Sequence, residues 1–238
     1  MKEAMIVRRP DALFDGAVRR VMTTKLREPA NGLTHLAGVV LAVVALIALV
    51  WIGITGGNVL ALIGLSIFGI SQLALYTAST LHHSLRLSPA AEARLLRFDV
   101  MMVFVLIAGT YTPVCLIALH HLWRWGLLGL VWALVGTGLL FTTRWMHAPR
   151  WLSTAHYVLI GWVGLLAAPA LFHALPTAGM LWMLAGGAVY TVGALIFSVQ
   201  WPRLIPGVFE SHALWHLFVL GGSFCCFVLI VRYVAPLG

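Results

Sequence analysis

The sequence predicts an all-α integral membrane protein: a bundle of seven transmembrane helices, with the N-terminus in the cytoplasm and the C-terminus on the external or periplasmic side. Three observations carry this. Apolar residues make up 61% of the 238 and charged residues 9%, against the roughly 25% charged residues of soluble domains. Seven apolar runs, at about 36–55, 58–81, 100–119, 125–143, 154–173, 179–199 and 211–231, hold no charged residue apart from histidine, and each approaches the roughly 20 residues that cross a bilayer as a helix. Lysine and arginine are concentrated on alternate connections, as a fixed topology requires.

Residues 1–35 form the only extended polar region, a basic tail carrying Lys2, Arg8, Arg9, Arg19, Arg20, Lys25 and Arg27. The first apolar run begins too late, and too many others follow it, for a cleaved signal peptide. Between Ala12 and Met22 the tail could form a short amphipathic helix on anionic lipid or stay a disordered basic arm. The connections after the second, fourth and sixth runs add Arg86, Arg94, Arg97, Arg144, Arg150 and Arg203, so 13 of the 15 positive residues share one side and only Arg124 and Arg232 occupy the other. By the positive-inside rule the tail side is cytoplasmic. The net charge of +8 therefore reports topology, and no nucleic-acid partner is expected.

Trp51, Trp123, Trp125, Trp145, Trp151 and Trp201 lie near run ends, where interface anchors belong. The external connections, around Gly56-Gly57, His120-His121 and 173–177, are too short for a ligand-binding domain. Cys115, Cys225 and Cys226 fall inside apolar runs without C-x-x-C spacing, which argues against a disulfide framework or a thiolate metal site. No inverted repeat is evident, and seven spans divide poorly into two halves, which weighs against a transporter.

Polar groups at membrane depth are costly and become functional candidates by default. His212 and His216, four apart at the start of the seventh run, share one helix face. Ser79 and His83 lie at the end of the second run and Asp99 just before the third, all on the cytoplasmic side. Each has an ordinary alternative. Asp99 could cap the third helix, Ser79 could bond back to its own helix, and His83 with its neighbour His82 could sit among headgroups. Together, three imidazoles with a carboxylate match a catalytic Zn²⁺ site, which takes three protein ligands and leaves one position for water.

Glu28, Asn31, Thr34 and His35 form a polar entry to the first helix, either orienting a ligand histidine or serving as cap and interface residues. His156, at the start of the fifth run, reads as an interfacial or structural histidine. Pro113 in Thr110-Tyr111-Thr112-Pro113 should kink the third helix, with the hydroxyls satisfying freed carbonyls. Gly129, Gly136, Gly138, Gly161, Gly164, Gly186, Gly187 and Gly193 are expected at close helix contacts.

Four segments, Glu28-Pro29-Ala30-Asn31-Gly32-Leu33-Thr34-His35, Ser79-Thr80-Leu81-His82-His83-Ser84, Ile107-Ala108-Gly109-Thr110-Tyr111-Thr112-Pro113 and His212-Ala213-Leu214-Trp215-His216-Leu217, resemble the signatures of bacterial hemolysin III proteins, grouped with the progestin and adipoQ receptor family that includes the adiponectin receptors. The resemblance runs in order from about Glu28 to the C-terminus. It implies a seven-helix bundle with a cytoplasmic N-terminus and a zinc ion near the cytoplasmic leaflet. By motif position the zinc ligands fall on His83, His212 and His216, and the associated aspartate and serine on Asp99 and Ser79. It further implies the chemistry of a superfamily containing alkaline ceramidases, metal-dependent hydrolysis of lipid amides. The chain departs from the pattern at His82, where an aromatic is common, at Val100, where a histidine is common, and at Ala213, where a glutamate is common.

The expected function is thus a zinc-dependent membrane hydrolase acting on a lipid amide or ester in membrane lipid homeostasis, with a membrane lipid or free fatty acid as substrate or product. Asp99 and Ser79 would be its catalytic residues. The alternative is a receptor-like or regulatory membrane protein with a structural zinc. A pore-forming hemolysin is less supported, because no run carries a polar stripe wide enough to line a large pore.

Overall fold

The computed structural model describes residues 26–145 and 148–238. The amphipathic helix considered for the tail, over 12–22, lies outside them. Seven helices are long and apolar enough to cross a membrane, and the described residues contain no strand beyond an isolated bridge between Ile205 and Phe209. The spans are α1 (Pro29–Gly56), α2 (Val59–Ser84), α3 (Pro89–Ala118), α4 (His121–Arg144), α5 (Arg150–Ala174), α6 (Thr177–Val199) and α7 (Ser211–Leu237).

Several helices outrun the apolar stretches that predict them. α1 begins at Pro29, so 29–35 belong to the first helix and not to the tail, and α3 begins at Pro89, about a dozen residues before its run. The reason is that apolar length measures the hydrocarbon layer, whereas a helix continues for as long as its backbone bonds can form. Pro29 and Pro89 supply favourable first-turn residues. Asp99 is consequently the eleventh residue of α3 and caps nothing.

The turn between α1 and α2 is set by Gly57, left-handed at φ 71°, and by Asn58, whose Oδ1 accepts from the N–H groups of Leu60 and Ala61. In α3, Pro113 has no N–H to give the Gly109 carbonyl, and the helix widens into a π-turn over Val114–Ala118. The expected repair by hydroxyls takes a different form: Thr110 and Thr112 donate to the carbonyls of Leu106 and Ala108 at 2.9 and 2.7 Å, beside the freed one. α5 passes through a 3₁₀ stretch, Val163–Ala167. Tyr111 on α3 braces this break, donating to the Gly161 carbonyl and accepting from the Gly164 N–H.

Successive helices pack side by side, and α1 meets α7 to close the ring. One core cluster, containing Leu49, Leu65, Phe68, Phe104, Met180 and Leu229, joins all seven helices, while a smaller one around Ala42, Leu75, Tyr76, Leu106 and Val219 lies under the end where α1 begins. That end is called the entry face below. Gly138 lies against the Phe104 ring and Gly193 against Phe218 and Trp215, as expected of contact glycines. A Cβ on Gly129, Gly136 or Gly161 would meet open space, so none of the three is needed for close side-chain packing, although the Gly161 carbonyl accepts from Tyr111.

Candidate metal centre

The site forms where α1, α2, α3 and α7 converge at the entry face. Ser79 and His83 come from the last two turns of α2, and His212 and His216 from the first two turns of α7. The His83 ring stands edge-on to those of His212 and His216, at centroid distances of 4.8 and 5.0 Å, and the two α7 rings are 4.8 Å apart. One nitrogen from each of the three lies within 4.8 Å of the others, a grouping that could hold a metal ion. Tetrahedral Zn–N bonds of about 2.1 Å require nitrogens roughly 3.4 Å apart, an adjustment within reach of side-chain rotation.

Two of the three rings are held in the tautomer a ligand needs. His83 Nδ1 donates to Glu28 Oε2 at 2.6 Å, and Asn31 Nδ2 donates to the same oxygen at 2.8 Å. His216 Nδ1 lies 3.1 Å from the Asn31 carbonyl, which can only accept, so the proton resides on Nδ1. Thr34 Oγ1, also 3.1 Å away, has the carbonyls of Ala30 and Asn31 for its own proton. With Nδ1 protonated in both rings, each Nε2 keeps its lone pair, the arrangement typical of ligand histidines. His83 Nε2 is buried without a hydrogen bond.

Glu28 occupies the N-cap position of α1 but caps nothing with its side chain. Its carboxyl is held down at about 2, from an ordinary 4.5, chiefly by the hydrogen bond from His83, with Asn31 and Arg27 helping against the opposing effect of partial burial. Arg27 reaches Glu28 and Glu92 at 3.4 and 3.5 Å. Backbone bonds from Arg27 and Glu28 to the carbonyls of Ser84 and His83 fasten this segment to the end of α2. Of the four polar entry residues, Glu28, Asn31 and Thr34 therefore orient the rings of His83 and His216. His35 does something else: 2% exposed, it stacks on His216 at 3.7 Å and 12°, with neither nitrogen bonded.

Asp99 is 13% exposed at its side chain, with Oδ2 3.8 Å from His83 Nε2. Ser79 does not bond back to its helix; its hydroxyl is buried and unpartnered. His82 corrects the headgroup reading: it is 5% exposed, its Nδ1 has no partner, and with His83 and Asp99 it makes a second group able to hold a metal. Both groups draw on His83. The all-nitrogen group has its rings fixed from outside, whereas no hydrogen bond to either His82 nitrogen is present among the described residues. His156 stands apart from the cluster, its ring edge-on to Phe104 with Nε2 3.3 Å from Thr137 Oγ1.

Two spaces flank the cluster. A polar vestibule of about 440 Å³, lined by Arg27, Glu28, Arg150, Glu210 and His212, opens at the entry face. On the membrane side an apolar cavity of about 160 Å³ lies among α3, α5, α6 and α7, starting at Leu75, Val103 and Trp215, each within about one turn of Ser79, Asp99 or His216. Neither space was legible in the sequence.

The Haemolysin-III related family matches residues 23–227. The chain belongs to this family. It is 37% identical over 209 residues to Hemolysin-3 of Bacillus cereus, covering 88% of this chain and 92% of that protein. It is 36% identical over 212 residues to the Hemolysin-3 homolog of Bacillus subtilis (strain 168), covering 89% and 96%. This haemolysin-III related protein is accordingly a multi-pass membrane protein, which in bacteria means the cell membrane. Its histidine cluster falls within the matched residues.

Proposed function

We propose that this haemolysin-III related protein is a zinc-dependent hydrolase of a membrane lipid amide or ester, with its entry face in the cytoplasm. The observation that carries the reading is the pair of histidine rings fixed through Nδ1 by Glu28 and Asn31, next to a part-buried carboxylate and an unpartnered hydroxyl, between a polar vestibule and an apolar cavity. The donor set fits zinc: His83, His212 and His216 offer three neutral imidazoles, a common catalytic complement for that ion. Zinc held there supplies Lewis acidity, making a water acidic enough to attack near neutral pH and polarising a carbonyl.

The chain's own residues supply the rest. Asp99 holds a water from the vestibule and takes its proton as the water oxygen bonds to the acyl carbon. Ser79 donates to the oxygen that becomes negative. When the C–N or C–O bond breaks, Asp99 returns its proton to the leaving group, since Ala213 leaves no second carboxylate on that turn. The fatty acid remains in the apolar cavity, and the headgroup departs through the vestibule.

The test is metal analysis with turnover. Purified protein should hold about one zinc per chain, and His212→Ala with His216→Ala should empty it. Asp99→Asn should keep zinc and lose hydrolysis of a palmitoyl amide or ester. A second reading is favoured by the location of the cluster at the α1–α2–α7 junction, where zinc would tie helices together in a receptor-like or regulatory protein. It predicts that removing zinc lowers the melting temperature while Asp99→Asn changes nothing.

A further inference from the structure

The function proposed above leaves His82 without a task. His82 and His83 lie in the last turn of α2, their rings edge-on at 4.7 Å, and Asp99 faces them from α3. One nitrogen from each histidine and one carboxylate oxygen of Asp99 lie within 4.8 Å of one another. His83 Nε2 and Asp99 Oδ2 are 3.8 Å apart. That is too long for a hydrogen bond but close to the roughly 3.4 Å that separates two ligands of a tetrahedral zinc.

The burial of the nitrogens points the same way. His82 is 5% exposed and His83 1%, and His82 Nδ1 and His83 Nε2 are both buried with no hydrogen-bond partner among the described residues. Unpaired polar atoms at that depth are costly. A divalent ion between α2 and α3 takes the lone pairs of both rings, and Asp99 brings the negative charge that three neutral imidazoles lack. Two imidazoles with one carboxylate is a complement that zinc also accepts. The two groups cannot be filled together. Glu28 occupies His83 Nδ1, which leaves Nε2 with a single lone pair and therefore one ion at a time.

We propose that His82, His83 and Asp99 form a second position for the divalent ion, exclusive of the three-nitrogen position and sharing His83 with it. No hydrogen bond orients the His82 ring among the described residues, so this position is the weaker by about the 10–100-fold that orienting partners contribute. An ion held there makes Asp99 a ligand and removes it as a base, so a chain loaded in this position does not turn over. That consequence rests on the hydrolase reading, whereas the position itself does not.

The experiment is calorimetric titration of the chelator-stripped, detergent-solubilised full chain with zinc chloride. Wild type should take up one zinc per chain. The His212→Ala/His216→Ala variant, emptied on purification, should take one back with an affinity about 10–100-fold below that of wild type. Adding His82→Phe or Asp99→Asn to that variant should weaken uptake at least about tenfold further, because losing a ligand costs no less than losing its orienting partner. Either change made alone in wild type should leave zinc affinity unchanged. Circular dichroism and elution volume check the fold; if the double variant fails them, His212→Gln alone breaks the three-nitrogen group and carries the same comparison. No uptake by a folded variant lacking the α7 ligands, uptake undiminished by His82→Phe, or two zinc ions per wild-type chain overturns the proposal. Each position is read in the variant that lacks the other: zinc taken up by the α7 variant but not by His82→Phe removes the three-nitrogen site and leaves the second position standing.

Discussion

Replacing Glu28 by glutamine isolates the contribution of one charge to the proposed metal centre, which it does not ligate. The variant keeps size and shape but exchanges an anionic acceptor for a neutral one at the 2.6 Å contact with His83 Nδ1. Hydrogen bonds to charged groups contribute about 1.5–3 kcal/mol. The Glu28 side chain is 36% exposed, so solvent screening favours the lower end, about 1.5 kcal/mol. Zinc affinity should therefore fall about tenfold, at the lower edge of the effect usual for groups that orient ligand histidines. Competition against a chromophoric chelator at pH 7.5 reads this directly. Glu28→Ala should lose more, because Asn31 Nδ2 also loses its acceptor. A zinc affinity within twofold of wild type in Glu28→Gln, alongside an empty site in His83→Ala, would refute the argument that α1 tunes the centre through His83.

Other perturbations address the scaffold. Gly138→Ala places a methyl in the Phe104 ring and should lower stability by about 1–3 kcal/mol, seen as a reduced melting temperature in detergent. Ser223→Ala removes the shared partner of Tyr76 and Tyr190 and should destabilise by about 0.6–1.7 kcal/mol, the range for polar contacts between membrane helices, with zinc content unchanged. Tyr111→Phe strips both hydrogen bonds from the 3₁₀ break in α5. It should lower the melting temperature and speed amide exchange at Gly164, while zinc affinity stays the same.

Legibility in the sequence followed the range of the underlying physics. The number of spans was readable because hydrocarbon thickness acts on a contiguous stretch, and seven runs gave seven helices. Helix ends were not, because the first turns of α3, which carry Glu92, Arg94 and Arg97, are polar enough to look like a connection. His212 and His216 were visible as a helical pair, and His83 and Asp99 as groups at the same end of the bundle. The roles of Glu28 and Asn31 were undecidable from spacing, since the deciding contacts cross 55 and 185 residues of chain. His82 was misread because its neighbour's likeness hides their difference: His83 is clamped by Glu28, and His82 is buried without a partner at Nδ1.

The clamp that α1 places on rings from α2 and α7 has a consequence for biogenesis. His83 leaves the ribosome about 130 residues before His216, which at roughly 5–20 residues per second is on the order of 7–27 s. Through that interval His83 can already meet Glu28, but the nascent chain offers no three-nitrogen group. Capture at the proposed three-nitrogen site therefore follows insertion of the last helix, and a chain stalled after α6 has only the group of His82, His83 and Asp99 to offer an ion. Loading of the three-nitrogen site would then report that synthesis has reached α7 and that the first and last helices have met.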